Sequence, residues 1–270
     1  MQNWWSALTT PIGADNRSAI DVVDAFTIHP YYSGSNVNVQ KSDVGDRTRA
    51  GQIARDGIAL MRQILDNPAL DNAAIQNKQM WITEHNILEN DEVVLGNSWV
   101  HALLIDFHTQ EFLKDERTAV STAHVLTGNP QWQAITNEKG SQIDGNLRGI
   151  TNLPFTEDGS ERLQPTALGL VLKETAEVFD SGTATLLKSG ESFIAWRVTN
   201  SVDNISAVNA DDRSESLALP TGRDWEVRTY TGDPWKTVER QSDLDVTVQT
   251  FSGGQTITIP GFSKVVATAR

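Results

Sequence analysis

The chain has 270 residues, 39% of them hydrophobic, and a formal charge of −13 from 35 acidic and 22 basic side chains. That balance excludes a nucleic-acid partner, whose affinity would come from Lys and Arg neutralising phosphates, and makes an anionic membrane a poor partner. No apolar run reaches the roughly 20 residues of a membrane span, no secretory signal is expected at the start, and the absence of cysteine rules out disulfides and thiolate metal sites.

The mean hydropathy of −0.35 and the length fit a folded chain with a sizeable core, long for one small domain and short for two large ones. Ala25-Phe26-Thr27-Ile28 reads as a short strand ending at His29-Pro30-Tyr31-Tyr32, because proline cannot continue a central strand. From about Val44 to Asp66, Ile53, Gly57, Leu60, Met61 and Ile64 recur at the 3–4 spacing of an amphipathic helix, which Asn67-Pro68 ends.

Gln79 to Thr83 has the composition of a buried strand, followed at once by Glu84-His85-Asn86. Asn97 and Ser98 are caps for a helix over about Trp99 to Lys114, with Val100, Leu103, Leu104 and Phe107 as its inner stripe. Thr118 to Leu126 is a third strand, and Pro165 is placed as the first residue of a helix running to Phe179. Strands alternating with helices imply a parallel sheet. The stretch from Thr127 to Leu163 has no clear period and follows a strand, where barrel loops line active sites.

After Ser181-Gly182 the period changes to two. Ser192–Val198, Trp225–Tyr230, Val246–Phe251, Thr256–Ile259 and Lys264–Thr268 read as strands of an antiparallel sandwich or roll. The expected organisation is therefore an α/β part over residues 1–180 and an antiparallel β-sandwich over 181–270.

Glu84 is the foremost candidate for chemistry, since catalytic groups of barrel enzymes stand at the C-terminal ends of buried strands. On position alone it is a nucleophile, a general base or a metal ligand, or else a glutamate that caps a helix or pairs with an arginine. His29 and Tyr31 end the preceding strand and would lie beside it; the tyrosine hydroxyl can hold a carboxylate in one rotamer. Tyr32 is as readily an aromatic plug, and Trp132 is either a flat face for a sugar or rim packing. His101 and His108, seven apart on one helix, are read as surface or hydrogen-bonded histidines. Glu84-His85 is not the zinc helix motif, which places two histidines four apart. No phosphate-cradling glycine loop or Gly-x-Ser-x-Gly elbow is present, so no cofactor is expected.

Asp24-Ala25-Phe26-Thr27-Ile28-His29-Pro30-Tyr31-Tyr32 resembles the sixth-strand His-x-Tyr segment of clan A glycoside hydrolases, and Trp81-Ile82-Thr83-Glu84-His85-Asn86 resembles their nucleophile-bearing seventh strand. The likeness covers residues 20 to 180 and is closest to α-L-arabinofuranosidases and β-xylosidases, with agarase-like enzymes hard to separate. It implies strands six to eight of a (β/α)8 TIM barrel, then the β-sandwich. It makes Glu84 the nucleophile of a retaining hydrolase acting on plant or algal polysaccharide, with Tyr31 bonded to it. His29, Tyr32, His85, Asn86 and Trp132 would bind substrate, with carbohydrate as partner and no cofactor or metal. Thr83 and His85 depart from the Asp and Trp of the arabinofuranosidase pattern, which leaves the sugar open.

The family's acid/base stands in an Asn-Glu pair on strand four. Here only Asn137-Glu138 offers that pair, after the eighth strand, and is treated as a chance match. The resemblance thus implies a C-terminal portion lacking its acid/base, inactive or incomplete by itself, from a secreted or periplasmic parent. The rival readings are a carbohydrate-binding or scaffolding module, with Trp196, Trp225 and Trp235 as a sugar platform, and an unrelated α/β protein. Nothing in the sequence indicates the oligomeric state.

Overall fold

The computed structural model describes residues 7–71, 73–88, 94–96, 98–124, 135–137, 163–238 and 241–270. Three short strands, β1 (Ala25–Ile28), β3 (Gln79–Ile82) and β5 (Thr118–Ser121), form a parallel sheet in the order β1-β3-β5. Two further pieces, β2 (Tyr31–Ser33) and β4 (Asn86–Leu88), pair in parallel just beyond β1 and β3. The strand expected to stop at His29-Pro30 therefore resumes at Tyr31. The interruption has a local cause, since Pro30 has no N–H to give a ladder.

The break is uneven. The ladder closes at Ile28↔Ile82 and reopens at Tyr31↔Asn86, so two residues on one strand face three on the other. One extra residue in a ladder bends the strand and re-aims its side chains. Glu84 lies in that three-residue gap.

Helix α1 (Arg47–Leu65) starts on Asp46, whose carboxylate accepts from the Arg49 N–H at 3.1 Å, and buries Ala50, Ile53, Ala54, Gly57, Ile58 and Met61. Helix α2 (Trp99–Phe112) departs from the expected single stripe: every residue except Thr109 is buried. It packs against α1, helix α3 (Ala167–Phe179), β4, β5 and the second sheet, and a helix enclosed on all sides has no solvent face to pattern. His101 and His108 are therefore interior residues rather than surface ones. Helix α3 begins two residues later than expected. Thr166 is its cap, with Oγ1 accepting from Gly169 N, while Pro165 ends the short strand β7 (Leu163–Pro165), antiparallel to β6 (Ile135–Asn137).

The remaining chain is antiparallel. Strands β8 (Thr183–Ser189), β9 (Phe193–Thr199), β10 (Asn204–Asn209), β12 (Trp225–Thr231), β13 (Asp245–Phe251) and β15 (Ser263–Ala269) form one sheet, ordered β13-β12-β15-β10-β9-β8. Strands β11 (Glu215–Ala218) and β14 (Thr256–Ile259) form a second, two-stranded sheet against it. Period-two alternation divides the large sheet between two cores. Ile194, Trp196, Val208 and Tyr230 point to the helices, whereas Phe193, Ala195, Ile205, Trp225, Val227 and Val265 point to β11 and β14.

The helices are pinned to this sheet at their starts. Trp99 N and Val100 N donate to Lys236 O and Pro234 O, Ala167 N donates to Val238 O, and Trp99 Nε1 reaches Phe262 O at 2.7 Å. Among the described residues the parallel sheet is covered on one face only. Met80 and Ile82 join the core, while Trp81 is 41% exposed and its ladder partners Thr27 and Val120 are also exposed. Parallel sheets are normally buried on both faces.

Candidate active site

Glu84 and Tyr31 meet at the ladder break. The Tyr31 hydroxyl donates to Glu84 Oε2 at 2.7 Å. His29 brings Nδ1 to 3.9 Å from the same oxygen, while its Nε2 lies 2.8 Å from Thr83 Oγ1. The Glu84 side chain is 41% exposed, so the carboxylate is held from below and open above. No hydrogen bond from the described residues reaches Oε1.

The hydrogen bond from Tyr31 is the main reason the Glu84 carboxyl titrates below the usual carboxylate range; His29 and His124 add to the effect and partial burial opposes it. Tyr31 shifts the other way, raised first by burial and then by its bond to the carboxylate. The proton therefore stays on the phenol and the charge on Glu84. An ionised, half-open carboxylate with one oxygen anchored and the other unengaged by the described residues is suited to nucleophilic attack or to proton abstraction.

The structure brings Glu84, Tyr31 and His29 together and places two of the other expected substrate contacts elsewhere. His85 is fully buried: its Nε2 faces Thr109 Oγ1 at 3.2 Å, and its ring lies edge-on to Phe112 at 5.1 Å. Desolvation there lowers its pKa to about 3, so the ring is neutral. Asn86 is 1% exposed, its Oδ1 accepting from Ile87 N and facing His101 Nε2, its amide donating to His124 O. Both corrections have one cause, since the extra residue at the ladder break turns Glu84 outward and its two successors inward. The side chain of Tyr32 and all of Trp132 lie outside the described residues, as does Glu138.

His124 was not singled out by the sequence. It follows β5 as Glu84 follows β3, sets its ring edge-on to Tyr31 at 6.2 Å, and donates its N–H to His85 O at 3.1 Å. The available signal was its place just past a third parallel strand. The tryptophans that the rival reading makes a sugar platform are core: Trp225, Trp196 and Trp235 are 0%, 6% and 8% exposed. Trp225 Nε1 donates to Pro220 O and Trp235 Nε1 to Asp46 O, the usual satisfaction of a buried indole. Among the described residues no group of three His, Asp or Glu could hold a metal ion, and no helix is long and apolar enough to cross a membrane.

No known family's sequence profile matches the chain, and no curated protein matches it. Solved structures do. A family 51 α-L-arabinofuranosidase from Bifidobacterium longum superposes with a TM-score of 0.61 at 13% identity, over 92% of this chain and 53% of that one. An arabinose-bound family 51 α-L-arabinofuranosidase gives 0.58 at 11%, over 91% and 37%. A 4-O-α-L-rhamnosyl-β-D-glucuronidase from Fusarium oxysporum gives 0.56 at 13%, over 93% and 54%. The chain thus shares its fold with these structures and spans about half or less of their length.

Proposed function

We propose that the chain is the C-terminal portion of a retaining glycoside hydrolase in which Glu84 is the nucleophile and Tyr31 holds it ionised. On this reading residues 1–180 carry strands six to eight of a (β/α)8 barrel and 181–270 its trailing sandwich. The observation that carries it is the Tyr31–Glu84 bond of 2.7 Å at the mouth of parallel strands, with the carboxylate open to solvent. The bare face bearing Trp81 agrees, since further strands would cover it. The family 51 likeness makes an α-L-arabinofuranosyl unit of a plant polysaccharide the first substrate to try, with algal galactans second.

In the reaction a Glu84 oxygen attacks the anomeric carbon, the bond to the leaving oxygen breaks, and water later hydrolyses the glycosyl ester. Such chemistry uses a second carboxyl about 5–5.5 Å away to protonate the leaving group. Among the described residues the groups acting on Glu84 are Tyr31, His29 and His124, none of them a carboxyl. On this reading the acid/base comes from a barrel half outside this sequence, and the chain alone should release only leaving groups that need no proton.

A dinitrophenyl α-L-arabinofuranoside tests this. The expected result is at most a single burst of phenolate, a mass increase of one pentosyl unit mapped to the peptide bearing Glu84, and loss of both in Glu84→Gln. A burst that survives Glu84→Gln would overturn the assignment of the nucleophile, and sustained hydrolysis of a natural arabinan would overturn the missing acid/base.

A further inference from the structure

Behind Glu84 lies a polar chain that substrate cannot reach. Asn86 is paired with Tyr31 in the β2–β4 ladder. Its side-chain amide donates to the carbonyl of His124, whose own N–H donates to His85 O at 3.1 Å. Both backbone polar groups of His124 are thus taken by the two residues that follow Glu84. Asn86 Oδ1 accepts from Ile87 N at 2.7 Å and lies 2.8 Å from Nε2 of His101, on the first turn of α2. Because Oδ1 can only accept, His101 must carry its proton on Nε2. Its Nδ1 is buried and has no hydrogen-bond partner among the described residues, so a second proton there would lack an acceptor among them.

From these contacts we infer that Asn86, anchored by His101, is a positioning residue that fixes His124 beside the Tyr31–Glu84 pair. Asn86 touches neither Glu84 nor solvent, so it acts only through the strand end it clips. The placement of His124 is one of the influences that hold the Glu84 carboxyl low, after Tyr31 and His29. The functional meaning rests on reading Glu84 as the reacting carboxylate. The contact itself does not, and the test reads the carboxyl rather than turnover.

The measurement is the titration of the Glu84 carboxyl carbon by 13C NMR in the whole chain, with thermal unfolding followed in parallel. In Asn86→Ala the midpoint should rise by about half a pH unit, the scale of one partly screened charge. His124→Ala should give the same rise, and adding Asn86→Ala to it should give no more, since both remove one interaction. His101→Gln, whose amide can occupy the place of Nε2, should leave the midpoint where it was, while His101→Leu should reproduce the rise. A folded Asn86→Ala or His101→Leu that titrates like wild type overturns the inference. So does a wild-type protein whose imidazole 15N shifts put the His101 proton on Nδ1, a readout that needs no variant to fold. If the inference fails while the trapped pentosyl adduct maps to Glu84, the proposed function stands without it.

Discussion

Two clusters of ionisable groups in this molecule are treated in opposite ways. Where the helices meet the large sheet, Lys264 and Asp106 are both fully buried and paired with each other. The ammonium donates to Asp106 Oδ2 at 2.8 Å, Thr175 Oγ1 at 2.5 Å and Ser206 Oγ at 2.7 Å, which uses its three N–H groups. Thr175 in turn donates to Asp106 Oδ1, and Gln110 to Oδ2. At the ladder break Glu84 has one oxygen bonded to Tyr31 and the carboxylate half open to water. Enclosure marks the first cluster as architecture, since neither charge meets solvent. Spare capacity next to solvent marks the second as chemistry.

The largest effect that could break this comparison is at the buried pair. Asp106→Ala would leave the Lys264 charge without its counterion, at a cost of about 3–5 kcal/mol in urea unfolding. Replacing both, Asp106→Leu with Lys264→Met, should recover most of that loss, because the desolvation penalty disappears together with the attraction. A single substitution that costs under about 1 kcal/mol would show that water reaches this layer and that the contrast is false.

A second effect sharpens the contrast within one dipeptide, where Glu84 is charged and open while His85 is neutral and sealed. Burial lowers the pKa of His85 to about 3 and that of His101 to about 4, and pushes His108 well down, helped by His85, His101 and Arg62 nearby. The unfolded chain binds protons near the ordinary value of 6.5 and the folded chain does not, so these residues favour folding above that pH and lose their contribution as the pH falls towards 4. Stability should therefore drop by about 1.4 kcal/mol per ring for each pH unit below 6.5 down to about 4.5, above the range where Asp211 and Asp203, held low by arginine partners, begin to titrate. An unfolding midpoint that stays flat over that window would mean the three rings are not neutral and enclosed.

The smallest effect on stability belongs to Tyr31→Phe, which removes one hydroxyl from a half-open bond and should cost no more than about 1 kcal/mol. Its signature is electrostatic. The Glu84 carboxyl loses the strongest influence holding it low and should titrate at higher pH, as a 13C NMR titration would record. An unchanged Glu84 would place the control of that charge with His29 and His124 instead.

Much of the fold and the core of the site are legible in short runs of residues. The apolar runs Ala25–Ile28 and Met80–Ile82 declare strands, and the polar residues after each put His29, Tyr31 and Glu84 at neighbouring strand ends. The 3–4 spacing of Ile53, Gly57 and Met61 declares α1. Other elements leave fainter traces. Helix α2 is buried on all sides and so shows no polar face, and the edge strand β8 is exposed along most of its length and so shows no alternation. The Lys264–Asp106 bond joins residues 158 apart, which no local pattern signals.

What the sequence determined alone is the order of strands and helices and the presence of Glu84 at a strand end, because period and chain breaks are local properties of a few adjacent residues. Which way each side chain then turned was decided in three dimensions. One extra residue in the second strand at the ladder break sends Glu84 towards water and His85 and Asn86 into the interior. The charge state of each follows from the desolvation and hydrogen bonds it meets there, and those come from segments far away in the chain.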